Sequence, residues 1–342
     1  MKKKLGIGLL GCSVILRNAH GPAMFSLPED YELIAMCDID PRRLDQMADG
    51  YHPKRRYTAL PDLLADPEVD VILNTTPTSE HAATTIACLK AGKHVLCEKP
   101  ISVTMEDADA MVEAARQSGL VLQMALQSRH NLAWKKIHEL LQGDAIGIPH
   151  TITVTQYWNE PTIYDNWRTT ASVSGGGILA DSCVHWIDMM RWQMGEITSV
   201  CGIGIPAPDS PLPQIEDTSL TLLRFASGAI GCLRNGWRNQ TLSGNAESVE
   251  INGTKGSIRA ELRTPWSNSG VQEIHLINNG DDEHVFTYHS PHLRFRDQLK
   301  DFAECVRGEH PVTCTVEDGR RALKIQQAIY ASFESRRWED VP

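Results

Sequence analysis

Leu5-Gly6-Ile7-Gly8-Leu9-Leu10-Gly11-Cys12-Ser13-Val14-Ile15-Leu16 is the stretch on which the rest of the chain turns. Two patterns compete within it. Taken literally, Gly6 to Gly11 spell the G-x-G-x-x-G of a dinucleotide-binding turn. That fingerprint works only where a strand has ended and a helix begins, so that backbone N–H groups face a pyrophosphate. Residues 5–10 are an apolar run, the strand itself, and Gly11 breaks it. Shifted by five, the turn becomes Gly11-Cys12-Ser13-Val14-Ile15-Leu16, with Ser13 and Leu16 where glycines are usual. Spacing favours the shift. The acidic ribose ligand is expected about 20 residues beyond the fingerprint, and Asp38 lies 22 residues beyond Leu16 but 27 beyond Gly11. Asp38 also closes the apolar run 31–37, at the carboxyl edge where open α/β sheets bind ligands. Its carboxylate suits both ribose hydroxyls and repels a 2′-phosphate, which favours NAD. Arg42 and Arg43 keep NADP as the alternative.

The same stretch has a rival reading as an export signal. Lys2, Lys3 and Lys4 resemble an n-region, and Leu9-Leu10-Gly11-Cys12 a lipoprotein cleavage box. The apolar core of six residues is shorter than the usual 7–15, so a buried first strand is expected.

Outward from this strand the signals alternate. Apolar runs at 31–37, 69–75, 94–97 and 120–126 are separated by helical patterns, one at 82–89 and one opened by Thr104-x-x-Asp107 and closed by Gly119. Alternation of this kind implies a parallel, doubly wound sheet. After a helix near 131–141 the pattern changes. Thr/Val/Ile-rich segments at 148–157, 198–205, 217–225, 229–235, 248–253 and 272–278 are divided by turns such as Ser227-Gly228, Asn252-Gly253 and Asn279-Gly280. They imply a mostly antiparallel sheet. Helices are expected at 178–193 and 316–335. The expected architecture is α/β: a dinucleotide-binding Rossmann domain at 1–127, and a substrate-binding and oligomerisation domain at 128–342.

Composition narrows the function classes. The 342 residues are 42% apolar and 22% charged, with a net charge of −10. That argues against nucleic acid or an anionic membrane as partner. No run approaches the roughly 18 apolar residues of a membrane span. The nine cysteines contain no CxxC pair and suit free thiols in a cytoplasmic protein.

Several segments together resemble the Gfo/Idh/MocA (glucose–fructose oxidoreductase / inositol dehydrogenase / rhizopine catabolism) family. They are Gly8-Leu9-Leu10-Gly11-Cys12-Ser13, Asp70-Val71-Ile72-Leu73-Asn74-Thr75-Thr76-Pro77 with His81, Ala91-Gly92-Lys93-His94-Val95-Leu96-Cys97-Glu98-Lys99-Pro100, and Gly175-Gly176-Gly177-Ile178-Leu179-Ala180-Asp181 with His185. Fainter echoes are Glu216-Asp217-Thr218 and Asn252-Gly253-Thr254-Lys255-Gly256. The likeness runs in order over nearly the whole chain. It implies an NAD(P)-dependent oxidoreductase acting on a secondary hydroxyl of a sugar, sugar acid or cyclitol. It places the cofactor on Gly11, Cys12, Ser13, Val14, Ile15, Asp38, Thr75, Thr76, Pro77, His81, Glu98, Lys99 and Arg129, and it implies a dimer or tetramer. Two other functions exist within the resemblance: a non-catalytic NAD(P)-binding sensor, and an enzyme that keeps NAD bound and uses transient oxidation.

The chemistry narrows the catalytic candidates. Moving hydride from a carbinol needs a base for the alcohol proton and walls that fix the carbon. Lys99 follows a strand end and suits a hydrogen bond to the reacting hydroxyl. Asp181 and His185 are i and i+4 on one predicted helix face, continued by Asp188. His185 is the natural general base, and Asp181 accepts from a second hydroxyl. Arg168 suits a substrate hydroxyl or carboxylate and Trp167 a sugar face, with Tyr157, Trp158 and Tyr164 nearby. No metal is expected: Asp181 and His185 offer two ligands where zinc wants at least three, and His289-x-x-His292 has no obvious third.

Overall fold

The computed structural model describes residues 3–160, 163–165, 167–239, 246–262, 271–278, 282–289 and 293–342. The expected turn at Asn279-Gly280 and His292 lie outside them. Compactness divides the chain into Met1–Gln127 with His292–Arg320, and Ser128–Pro291 with Arg321–Pro342. The segment 292–320 therefore groups with the first unit, although it follows the second in sequence.

The first unit is built on a parallel six-stranded sheet: β1 Leu5–Leu10, β2 Tyr31–Cys37, β3 Arg55–Tyr57, β4 Val71–Asn74, β5 His94–Cys97 and β6 Leu122–Met124. Their order in space is β3-β2-β1-β4-β5-β6. Strand order reverses beside β1, which opens the crevice where such sheets take ligands. All six residues of β1 are buried, as a strand covered on both faces requires. Its glycines serve this packing. A Cβ on Gly6 would collide with the Glu68 carbonyl, and one on Gly8 would lie 2.9 Å from Ile72 Cδ1. The literal glycine pattern is thus a strand against its neighbours, and the turn begins at Gly11. There φ is +88°, and a Cβ would meet the Thr75 carbonyl oxygen at 2.9 Å.

The second unit carries a nine-stranded sheet. Its strands are β7 Pro149–Tyr157, β8 Ile197–Ile205, β9 Thr218–Phe225, β10 Ile230–Gly236, β11 Ala246–Gly253, β12 Gly256–Leu262, β13 Val271–Asn278, β14 Asp282–His289 and β15 Glu339–Asp340. Their order is β14-β13-β12-β11-β7-β10-β9-β8-β15. Described pairs are antiparallel except β7 with β10. Along β9 burial alternates, so one sheet face is covered and the other is not. Met190 and Phe333 pack on the covered face, where Gly231, Gly202 and Gly204 leave them room. The uncovered face presents Ile203, Ile205, Leu220, Leu222 and Ile230, between 43% and 60% exposed.

Three expectations need correction. The helix expected over 178–193 is two pieces, Ile178–Asp181 and Cys183–Met194, broken at Ser182. Helices Pro41–Tyr51 and Leu293–Val306 were not expected. Asp40 caps the first by accepting from Arg42 N–H at 3.0 Å, with Pro41 at its first position. The second buries Phe295, Leu299, Phe302 and Ala303 at helical spacing. Strands β3, β12, β14 and β15 were also not expected.

Candidate active site

In the first unit, the turn after β1 leads into a helix whose residues Leu16–His20 are wound as a π-helix, a form frequent at functional sites. Cys12 N–H donates to Asp38 Oδ2 at 2.7 Å, and Asp40 N–H donates to Oδ1 at 2.9 Å. The Asp38 side chain is thereby fixed at the end of β2, each oxygen keeping a lone pair. Thr75 Oγ1–H donates to the Gly11 carbonyl at 2.6 Å and pins the turn from β4. Ser13 Oγ accepts from Leu16 N–H at 3.3 Å, so it acts as a helix cap where a glycine was expected. Cys12 is not a ready thiolate: burial, then the neighbouring Asp38, pushes its thiol up to about 12.

Next to this turn, β5 ends in Glu98-Lys99-Pro100, and two buried histidines hold that corner. His20, fully buried, lies 2.6 Å from Glu98 Oε1 through Nε2. Lys99 N–H donates to Glu98 Oε2 at 3.0 Å. His81 lies 2.7 Å from the Pro100 carbonyl and 2.9 Å from that of Thr76, one ring nitrogen to each. Burial alone would raise the Glu98 pKa. The His20 bond and the charges of His20 and Lys99 outweigh it and hold Glu98 below the ordinary 4.5. Burial shifts His81 the other way, below 6.5. Lys99 is half-buried, Thr76 is half-buried and Pro77 exposed. His20 was absent from the expected site, because its partner lies 78 positions away and no local pattern marks that pairing.

In the second unit the triple glycine is a packing device. Gly175 ends the preceding helical turn with φ of +89°. A Cβ on Gly176 would collide with the Tyr330 hydroxyl, and one on Gly177 with the Glu216 carbonyl. Glu216 accepts from Gly177 N–H at 3.2 Å, Leu179 N–H at 3.0 Å and Tyr330 O–H at 2.8 Å. Its carboxylate caps the short helix that carries Asp181. Burial raises the Glu216 pKa above 4.5 despite these donors. Arg168 Nε donates to Asp181 Oδ1 at 3.1 Å, and its guanidinium lies 4.9 Å from the Trp167 ring. His185 follows on the next helix, 9% exposed. Trp167, Arg168 and Asp181, expected to meet substrate, are thus in one contact chain.

Asp188 does not extend this polar stripe to solvent. It is fully buried, and Arg129 donates to it twice, Nε to Oδ2 at 2.8 Å and an Nη to Oδ1 at 2.6 Å. Arg129, expected beside the cofactor, makes this bidentate pair within its own unit. Nearby, Asp217 accepts from Tyr164 O–H at 2.8 Å and Trp237 Nε1–H at 2.6 Å, so Tyr164 belongs to that buried network.

A glycine turn entering a helix, an anchored acidic residue at the end of β2 and a lysine at the end of β5 are the parts of a dinucleotide oxidoreductase. The fit to NAD rests on the pinned turn and on the free lone pairs of Asp38. The chain belongs to the Gfo/Idh/MocA oxidoreductases. The family model described as an oxidoreductase family with an NAD-binding Rossmann fold matches residues 5–126, and that of the Gfo/Idh/MocA C-terminal domain matches 134–259. Myo-inositol 2-dehydrogenase of Thermotoga maritima is 31% identical over 319 residues, 90% of this chain and 91% of that protein. A solved probable dehydrogenase from Thermotoga maritima has a TM-score of 0.84 at 29% identity, covering 98% of this chain and 99% of that one. Levoglucosan dehydrogenase in complex with NADH and levoglucosan has a TM-score of 0.89 at 24% identity, over 99% of this chain and 100% of that one, a likeness in fold. Membership makes the chain an oxidoreductase with NAD as its cofactor. Among the described residues no helix is long and apolar enough to cross a membrane.

Proposed function

We propose that the protein oxidises a secondary hydroxyl of a sugar, sugar acid or cyclitol. The Arg168–Asp181 contact, at the end of the short helix that precedes the one carrying His185, carries this reading. It holds a hydrogen-bond acceptor for a polyol beside a cation, and His185 on the following helix supplies the imidazole. The names of the relatives, inositol and levoglucosan dehydrogenases, support the substrate class. Bound NAD supplies the hydride acceptor. Lys99 hydrogen-bonds the reacting hydroxyl and stabilises oxyanion character as the proton leaves. His185 accepts that proton. Asp181 accepts from a second hydroxyl, Arg168 holds Asp181 in place, and Trp167 offers its face to the ring. Gly11 to Ile15 take the pyrophosphate, Asp38 the adenosine ribose, and Thr75, Thr76, Pro77, His81, Glu98 and Arg129 shape the rest of the cofactor site. Purified protein with NAD and a panel of polyols tests the proposal; absence of NADH with every one of them overturns it.

The role of Asp38 has its own signature. Asp38→Asn removes the charge that accepts from the ribose and opposes a 2′-phosphate. A hydrogen bond to a charged group contributes about 1.5–3 kcal/mol, so KM for NAD is expected to rise about ten- to hundredfold while KM for NADP falls. An unchanged ratio removes Asp38 from cofactor choice.

The same reading makes the protein a cytoplasmic homo-oligomer. Its nine free cysteines, seven of them buried, support a reducing compartment. The apolar side chains on β8, β9 and β10 support pairing of the uncovered face with another copy. A Leu220→Glu/Leu222→Glu variant is expected to elute as a monomer in light-scattering chromatography; assembly at wild-type size excludes this face.

A further inference from the structure

A second cluster of ligating side chains lies in the first unit, outside everything described above. The Leu293–Val306 helix carries Asp301, Glu304 and Cys305 at i, i+3 and i+4, hence on one face. After Gly308, with φ of +75°, the chain turns back and lays His310 against that face. His310 Nδ1 lies 2.8 Å from the Pro311 carbonyl, which makes it the N–H donor. Nε2 then carries the lone pair, and it sits 3.6 Å from Asp301 Oδ1 and 3.6 Å from Glu304 Oε2. A lone pair facing two carboxylates is repelled by both unless a cation stands among them. That cation is either a proton on Nε2 or a metal ion.

Cys305 adds a soft ligand to this group. Its Sγ lies 3.5 Å from the His310 ring at Nδ1 and 4.0 Å from Asp301 Oδ2. Asp301, Cys305 and His310 each bring one ligand atom to within 4.8 Å of the other two; ligand atoms around tetrahedral zinc, at bond lengths of about 2.0–2.3 Å, stand roughly 3.3–3.8 Å apart, so a small inward shift of the side chains closes the site. The outer partners are also those of a metal centre: a backbone carbonyl fixes the imidazole, and Gln123 Nε2 at 2.9 Å and Thr313 Oγ1 at 2.7 Å fix the Asp301 carboxylate. His310 is partly exposed, which leaves an entry path.

We propose that Asp301, Glu304, Cys305 and His310 bind one borderline divalent cation of the zinc class. One nitrogen, one sulfur and two carboxylates exclude a magnesium or calcium preference. Binding takes the Cys305 thiol proton into solvent as the thiolate–metal bond forms.

Untagged protein, stripped with chelator and desalted, is titrated with Zn²⁺ by calorimetry, and separately with Co²⁺ by absorption. One equivalent of Zn²⁺ is expected to bind, and Co²⁺ to show a thiolate charge-transfer band. His310→Ala and Cys305→Ser are each expected to weaken Zn²⁺ at least tenfold, and Cys305→Ser to abolish the band. His310→Ala, at an exposed position, keeps the test open if Cys305→Ser fails to fold. No saturable binding, or binding that His310→Ala leaves unchanged, overturns the proposal and leaves a protonated imidazole as the cation.

Discussion

Lys99→Ala is expected to lower kcat about 10²–10⁴-fold, the range for a positioned acid–base group, while NADH affinity stays close to that of the wild type. The expectation rests on how tightly the backbone beside Lys99 is held. Its own N–H is bound to Glu98, Glu98 is bound to His20, and the following Pro100 carbonyl faces His81. Two buried rings brace the peptide on either side of one half-buried lysine. Such bracing serves a side chain that must be placed against a reacting atom. It has no purpose for a solvated surface charge. Lys99→Arg keeps the charge on a longer, planar fork, so its kcat is expected between those of wild type and alanine. Turnover of Lys99→Ala at the wild-type rate removes the lysine from the chemistry.

Glu216→Ala is expected to have the largest effect on stability. The alanine leaves Leu179 N–H and the Tyr330 hydroxyl without their acceptor, and Gly177 N–H with only the Tyr330 oxygen at 3.2 Å, in a place that water does not reach. Orphaned buried donors cost about 1–3 kcal/mol each. A loss of about 3 kcal/mol lowers Tm by roughly 6–12 °C for a unit of this size. Calorimetry checks this, and a shift under about 2 °C sinks it. Because the Glu216 pKa is raised in the folded state, its contribution has a definite sign with pH. The folded protein holds this proton more tightly than the unfolded chain, so stability is fully present below 4.5 and declines as pH rises through the raised value. Glu216→Gln keeps an acceptor and loses the titration. Its Tm is expected to lose that part of the pH slope, whereas a purely packing role for the side chain predicts no change in slope.

Much of the first unit was legible locally. Apolar runs ending in Gly11, Asp38 and Pro77 mark strands with their ligand-facing ends, because a strand covered on both faces cannot tolerate polar residues until it leaves the sheet. The position of the turn was also legible, since the spacing to Asp38 separates the two glycine patterns. The second unit was less so. Ser182 breaks an otherwise continuous helical pattern without a proline or glycine to announce it. The Leu293–Val306 helix did carry a signal, the spacing of Phe295, Leu299, Phe302 and Ala303, though charged residues between them dilute it.

The sequence by itself determined the parallel sheet, the turn at Gly11, the acidic anchor Asp38, and Lys99, Asp181 and His185 as chemical candidates, for these follow from patterns within about twenty residues. Only the tertiary structure decided which charges meet. His20 finds Glu98, Arg129 finds Asp188, Glu216 caps the helix after the triple glycine, and His310 returns to Asp301 and Glu304. Each pairing joins side chains from different elements. A buried charge takes whatever partner packing brings within hydrogen-bond distance, and no local periodicity encodes that partner.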